Sequence, residues 1–186
     1  MNAIRFIQEY IKNPSAIGAV MPSSKQLAKQ MVEEISFAAA SCVVEYGPGT
    51  GVFTEELIQH KGVDAMLLLI EQNPIFCEEL REKYSQIPNV HIVCGSAEEA
   101  AVYLEQHGYA KADYVASGLP FTSLPAAVSH RILEQTLKIL GDDGTFITFQ
   151  YTKVKQTFFR KHFRSIRIKK VYWNVPPAYV FICSNR

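Results

Sequence analysis

The stretch VVEYGPGTGVFT at residues 43–54 constrains the fold more than any other part of this chain. A short apolar run ends in three alternating glycines, and a helical pattern over Phe53–His60 follows at once. Within Glu45-Tyr46-Gly47-Pro48-Gly49-Thr50-Gly51 the glycines permit a tight turn and a close approach of backbone to a ligand. The helix that follows offers free N–H groups at its start. Glu45, two positions before the first glycine, adds a carboxylate, which suits a ligand bearing a cationic amine better than a pyrophosphate. A structural turn with a capping acid is the plainer alternative, and a GxGxG run alone is shared by many nucleotide-binding loops.

The strand-then-helix rhythm continues. Strands are expected at Cys42–Glu45, Ala65–Ile70, Val90–Cys94, Asp113–Ser117 and Gly144–Tyr151, with helices at Phe53–His60, Ile75–Tyr84, Ala97–Gln106 and Ala126–Leu140. Repeated units of this kind predict a mostly parallel sheet with helices on both faces. The ending breaks the rhythm. After a helix near Val154–His162, two strands, Ile166–Trp173 and Ala178–Cys183, flank Asn174-Val-Pro-Pro177 and should pair antiparallel. Seven strands and a C-terminal antiparallel hairpin result. Two extra helices precede the first strand. In one, Ala3, Ile4, Phe6, Ile7, Tyr10 and Ile11 share an arc flanked by Arg5 and Lys12; the other, Lys25–Ile35, starts after a serine cap. No repeat or linker interrupts the chain, so a single domain over 1–186 is expected, with 1–38 as a helical cap and 42–186 as the core.

No apolar run reaches membrane-spanning length and no secretory pattern opens the chain. Cys42, Cys77, Cys94 and Cys183 show no CxxC or Cys/His grouping, which reads as reduced thiols in a cytoplasmic protein without a bound metal. The net charge of +1 conceals an asymmetry: from Thr145 to Arg186 there are nine basic residues and no Asp or Glu. The remainder holds 10 basic (19 − 9) against 18 acidic residues. That split suggests a face for an anionic partner, a phospholipid headgroup or nucleic acid; a solvated edge paired with acidic helices of the same domain is equally consistent.

Further candidates stand at the expected strand ends. Glu71 lies 20 positions past Gly51, the distance at which an acid meets ribose hydroxyls, with Gln72 and Asn73 extending its loop. Ser96 and Ala97 follow the third strand, where a hydroxyl can bond an adenine amine. Ser117 and Gly118 close the fourth strand, where a glycine lets a reacting group approach the backbone; Leu119, Pro120 and Phe121 then offer an apolar wall with an aromatic face for an amine. Tyr10 is a further candidate to enclose that amine.

Together these motifs resemble class I S-adenosylmethionine-dependent methyltransferases, whose Rossmann-like sheet ends in such a hairpin. IGAVMPSS (17–24), IEQNPIF (70–76), SGLPFTSLP (117–125) and WNVPPAYV (173–180) are similar to bacterial phospholipid N-methyltransferases, which act on phosphatidylethanolamine. The resemblance implies S-adenosylmethionine as methyl donor, S-adenosylhomocysteine as product, a lipid amine as acceptor and peripheral contact with the inner face of a membrane. A weaker likeness is to ribosomal RNA adenine dimethylases, but Gly118 stands where their NLPY-type motif carries asparagine. A methyltransferase acting on RNA or a small-molecule amine, and a non-catalytic S-adenosylmethionine-binding module, are the alternatives. The histidines do not fall at these strand ends, so no catalytic base is assigned.

Overall fold

The computed structural model describes residues 25–174 and 176–185; the expected first helix, with Tyr10 and IGAVMPSS, lies outside them. Seven strands form one sheet in the order β3-β2-β1-β4-β5-β7-β6: β1 Cys42–Tyr46, β2 Met66–Glu71, β3 Val90–Cys94, β4 Tyr114–Ser117, β5 Thr145–Gln150, β6 Ser165–Val171 and β7 Ala178–Ser184. β1 to β5 run parallel. β7 is antiparallel to both β5 and β6, so β6 points the same way as β5. The mostly parallel sheet and the closing hairpin are as expected.

β1 and β2 are buried along their whole length because helices cover both faces. Alternate residues feed two separate cores. Val44, Tyr46, Leu68 and Ile70 meet α4 (Ala100–Gln106), α5 (Ala126–Leu140) and Phe159 of α6 (Gln156–Arg160). Val43, Leu67 and Leu69 meet α1 (Lys25–Val32), α2 (Val52–His60) and α3 (Pro74–Tyr84).

Several boundaries move. The helix after Pro22-Ser-Ser24 ends at Val32, not Ile35. Ala97–Glu99 is a 3₁₀ turn capped by Ser96, and the α-helix starts only at Ala100. The Val154–His162 helix shrinks to Gln156–Arg160. β6 stops at Val171, which leaves Tyr172 and Trp173 outside the strand. The thiols are corrected as well: Cys77 of α3 and Cys94 of β3 are disulfide-bonded, their Cα atoms 5.7 Å apart, while Cys42 and Cys183 are buried and free. Sequence spacing hid this pair, because it forms only once α3 folds back beside β3. Among the described residues no helix is long and apolar enough to cross a membrane.

Candidate active site

The candidate site is built at the carboxyl ends of the parallel strands, chiefly β1, β2 and β4, where an open parallel sheet leaves its crevice. β1 pairs with β2 so that Glu45 sits beside Leu69; Glu71, two residues further on, therefore lies on the same face. The period of two in the strands thus brings both carboxylates to the α2 side.

Glu45 is 1% exposed, and its Oε2 accepts a hydrogen bond from Thr54 Oγ1 at 2.8 Å. Its Oε1 is buried with no hydrogen-bond partner among the described residues. Burial pushes the Glu45 carboxyl up to about 8; the Thr54 hydroxyl opposes this and the nearby Glu71 charge adds to it. A buried acceptor in this state is matched to a cationic donor. Thr54 escaped the sequence reading, since a threonine inside a helix carries no signal until its partner is known.

Glu71 is also buried. Its Oε2 accepts the Gly49 N–H at 3.0 Å and its Oε1 the Asn73 N–H at 2.8 Å. Burial raises its pKa while these backbone donors pull it down. Glu71 therefore clamps the glycine loop to the β2–α3 turn and keeps lone pairs for hydroxyl donors. Gly49 has φ +56°, and a Cβ built there meets nothing within 4 Å, so its backbone is open to a ligand. Lys83 Nζ bonds the Thr50 carbonyl at 3.1 Å from the far side. Asn73 caps α3 through Ile75 N–H at 2.9 Å, and Gln72 is half-buried beside it.

Other expected ligand groups do structural work. Tyr46 points to the opposite face, its hydroxyl 3.4 Å from Thr136 Oγ1, so only its backbone serves the loop. Ser96 Oγ accepts the Glu98 N–H at 3.2 Å and donates to Glu98 Oε1 at 3.3 Å, which commits its proton; Ala97 is buried in the core. Ser117 is fully buried and its Oγ accepts the Leu119 N–H at 3.2 Å. At Gly118 a Cβ would lie 2.9 Å from the Gly47 carbonyl oxygen. This glycine is needed so that the β4 loop can press on the β1 loop, whose Tyr46 carbonyl accepts the Gly118 N–H at 2.9 Å.

Leu119 and Pro120 are half-buried at the crevice. Phe121 is corrected: its ring is fully buried between Phe146 and Phe159, with centroids 6.0 and 5.4 Å away, and offers no face to an amine. Gln150, at the end of β5, holds this loop instead. Its Nε2 donates to the Leu119 carbonyl at 3.1 Å and its Oε1 accepts the Thr122 N–H at 3.4 Å. A lone glutamine in GTFITFQY gave no sign of that role. His60, His107 and His162 each place Nδ1 on the carbonyl four residues earlier. Among the described residues no cluster of His, Cys, Asp and Glu is placed to hold a metal.

A sequence profile of the family described as "Ribosomal RNA adenine dimethylase" matches residues 3–167. The chain belongs to that family. It is an S-adenosylmethionine-dependent methyltransferase. This methyltransferase is 32% identical over 180 residues to the ornithine lipid N-methyltransferase of Singulisphaera acidiphila, covering 96% of this chain and 93% of that protein. It is 31% identical over 93 residues to ribosomal RNA small subunit methyltransferase A of Thermotoga petrophila, but that match covers 50% of this chain and 35% of that protein. A methyltransferase structure from Aquifex aeolicus, described as SAM-dependent, superposes with a TM-score of 0.64 over 98% of both chains at 10% identity, a likeness of fold alone.

Proposed function

We propose that this methyltransferase N-methylates the amine of a lipid headgroup. The observation that carries the reading is the likeness to an ornithine lipid N-methyltransferase over nearly the full length of both chains. The ribosomal RNA relative, by contrast, is matched over about a third of its length. Gly118 fits the same reading: a lipid amine is a good nucleophile once neutral, and needs no asparagine carbonyl to orient it.

Each residue then has a task. The Glu45 carboxylate takes the cationic amino group of the methyl donor, for which its partnerless buried oxygen is suited. Glu71 takes the ribose hydroxyls while it holds Gly49 in place. The Gly47–Gly51 turn lets the ligand lie against bare backbone, with the half-buried Gln72 and Asn73 beside it. When bound there, S-adenosylmethionine supplies a methyl group activated on a sulfonium. Leu119 and Pro120 exclude water from the reacting atoms, and Gln150 keeps that wall in register with Gly118. Alignment of donor and acceptor supplies the rate, and the amine gives up its proton to attack.

Incubation with labelled S-adenosylmethionine and vesicles containing either phosphatidylethanolamine or ornithine lipid, beside ribosomal RNA, tests the proposal. Label in either aminolipid is the expected result, and the vesicle that takes it names the headgroup. Label in RNA alone, or in a small-molecule amine alone, overturns it.

A further inference from the structure

Five of the basic residues after Thr145 are divided by what the fold makes them face. Arg167 and Lys169 both close on Glu34, just after α1, so one of their two positive charges is offset within the protein. Lys153 and Lys170 have no carboxylate partner among the described residues. Their ammonium groups lie 5.0 and 5.9 Å from the centre of the Tyr179 ring, and Lys170 is also 4.5 Å from that of Tyr172. Lys155 sits 4.9 Å over Phe158. Beside these cations Val154, Tyr172 and Trp173 are 78%, 68% and 83% exposed. Asn174, buried next to them, donates from Nδ2 to the Pro176 carbonyl at 2.7 Å.

Position joins this patch to the acceptor wall. Because β5 and β6 are both antiparallel to β7, the segments after Gln150 and after Val171 leave the sheet at the same end. That is also the end where β1 runs into the glycine loop. Tyr179 pairs with Gln150 on one side and Lys170 on the other, so the three share one cross-strand row and one face. Gln150 grips Leu119; Lys170 lies two strand spacings away, about 10 Å.

We propose that Val154, Tyr172 and Trp173, ringed by Lys153, Lys155 and Lys170, are the surface on which the enzyme rests on an anionic phospholipid bilayer, with the headgroup amine reaching Leu119 and Pro120 along this row. The inference rests on the lipid-amine reading and names where that lipid is met. Tyrosine and tryptophan side chains favour the zone between headgroups and acyl chains, and lysines can bury their stems there while their charges meet lipid phosphates. Basic and aromatic residues together also suit single-stranded nucleic acid, but stacking requires open ring faces. Here a lysine ammonium group already lies over the Tyr172 and Tyr179 rings, Val154 has no ring to stack, and Trp173 by itself is a single platform.

Trp173 is the single tryptophan of the chain, so its emission reports on this surface directly. The full chain is mixed with vesicles of phosphatidylglycerol and phosphatidylcholine, or of phosphatidylcholine alone. A blue shift and quenching by brominated acyl chains are expected with the anionic vesicles. Lys153→Gln with Lys170→Gln should weaken vesicle binding by about 30-fold. Tyr172→Ser with Trp173→Ser should weaken it in sedimentation. Both pairs should melt like the parent and retain methyl transfer to aminolipid dispersed in detergent micelles. Vesicles that sediment the protein without changing Trp173 emission overturn the surface, as does quenching by an RNA oligonucleotide without vesicle binding. Methylated lipid with unchanged vesicle binding in both pairs sinks the surface and spares the acceptor reading. Docking through Trp173 with no lipid methylated in vesicle or micelle does the reverse.

Discussion

At Glu45 the cost of burying a carboxyl and the proposed binding of a cation meet in one side chain. Its pKa rises on folding from an ordinary 4.5 to about 8, so in the ligand-free protein the contribution to stability is full below about 4.5 and is lost as pH rises through about 8. Melting temperature of the free protein should therefore fall over that window, and Glu45→Gln should flatten the fall. Binding a cation favours the ionised form, so wild-type affinity for S-adenosylmethionine should rise from about pH 6 to about pH 8, whereas Glu45→Gln should bind weakly with little slope; calorimetry at several pH values checks this. Glu71→Ala should lower the same affinity by at least about tenfold, because it removes two backbone hydrogen bonds along with the acceptor proposed for the ribose hydroxyls. Phe121→Leu separates a core ring from an amine-facing one. It should cost about 1 kcal/mol of stability in denaturant melts and leave the acceptor KM within about twofold. Glu45 and Glu71 were legible as residues from their spacing to the glycines, whereas Phe121 was misread. LPF looks alike whether the ring faces a crevice or turns beneath it into the Phe146 and Phe159 cluster.

Among the elements, the loops after β1 and β4 act as one unit. Gly118 is the contact point, and Gly118→Ala would drive a Cβ against the Gly47 carbonyl, a backbone atom that cannot step aside. The variant should lose about 2 kcal/mol of stability and bind S-adenosylmethionine more weakly, because moving one loop displaces the other. A thermal melt read beside a binding isotherm checks both effects. The edge strand β6 is tied down separately. Glu34 is kept below its usual carboxylate range, since Lys169 and Arg167 outweigh the burial that would raise it. A lowered pKa contributes stability above the unfolded value and loses it as pH falls through the folded one. Glu34→Gln should therefore cost about 1 kcal/mol at neutral pH and little in acid, with the difference shrinking in high salt. Element type could be read for every described strand and helix. Their ends were less accessible: nothing local in Ile166–Trp173 says that pairing with β7 stops at Val171.

Across the whole molecule, the glycine loop after β1, the Leu119–Pro120 segment proposed as the acceptor wall and an aromatic, lysine-rich rim stand at one end of a single sheet. This arrangement follows from the direction of β6, which two antiparallel pairings turn back to run with β5. The alternation of strand and helix, the hairpin at the end and the glycine turn of the EYGPGTG loop were all present in the amino-acid order, because hydrophobic period and glycine spacing are local properties of a chain. Contacts between distant residues were not. The Cys77–Cys94 bond, the hold of Gln150 on Leu119 and the sorting of the C-terminal cations exist only after the sheet has assembled. Arg167 and Lys169 read the same as Lys153 and Lys170 in a list of basic residues. Tertiary structure set the first pair against Glu34 and left the second pair at the rim, because a charge partner is chosen by distance in space and not by distance along the chain.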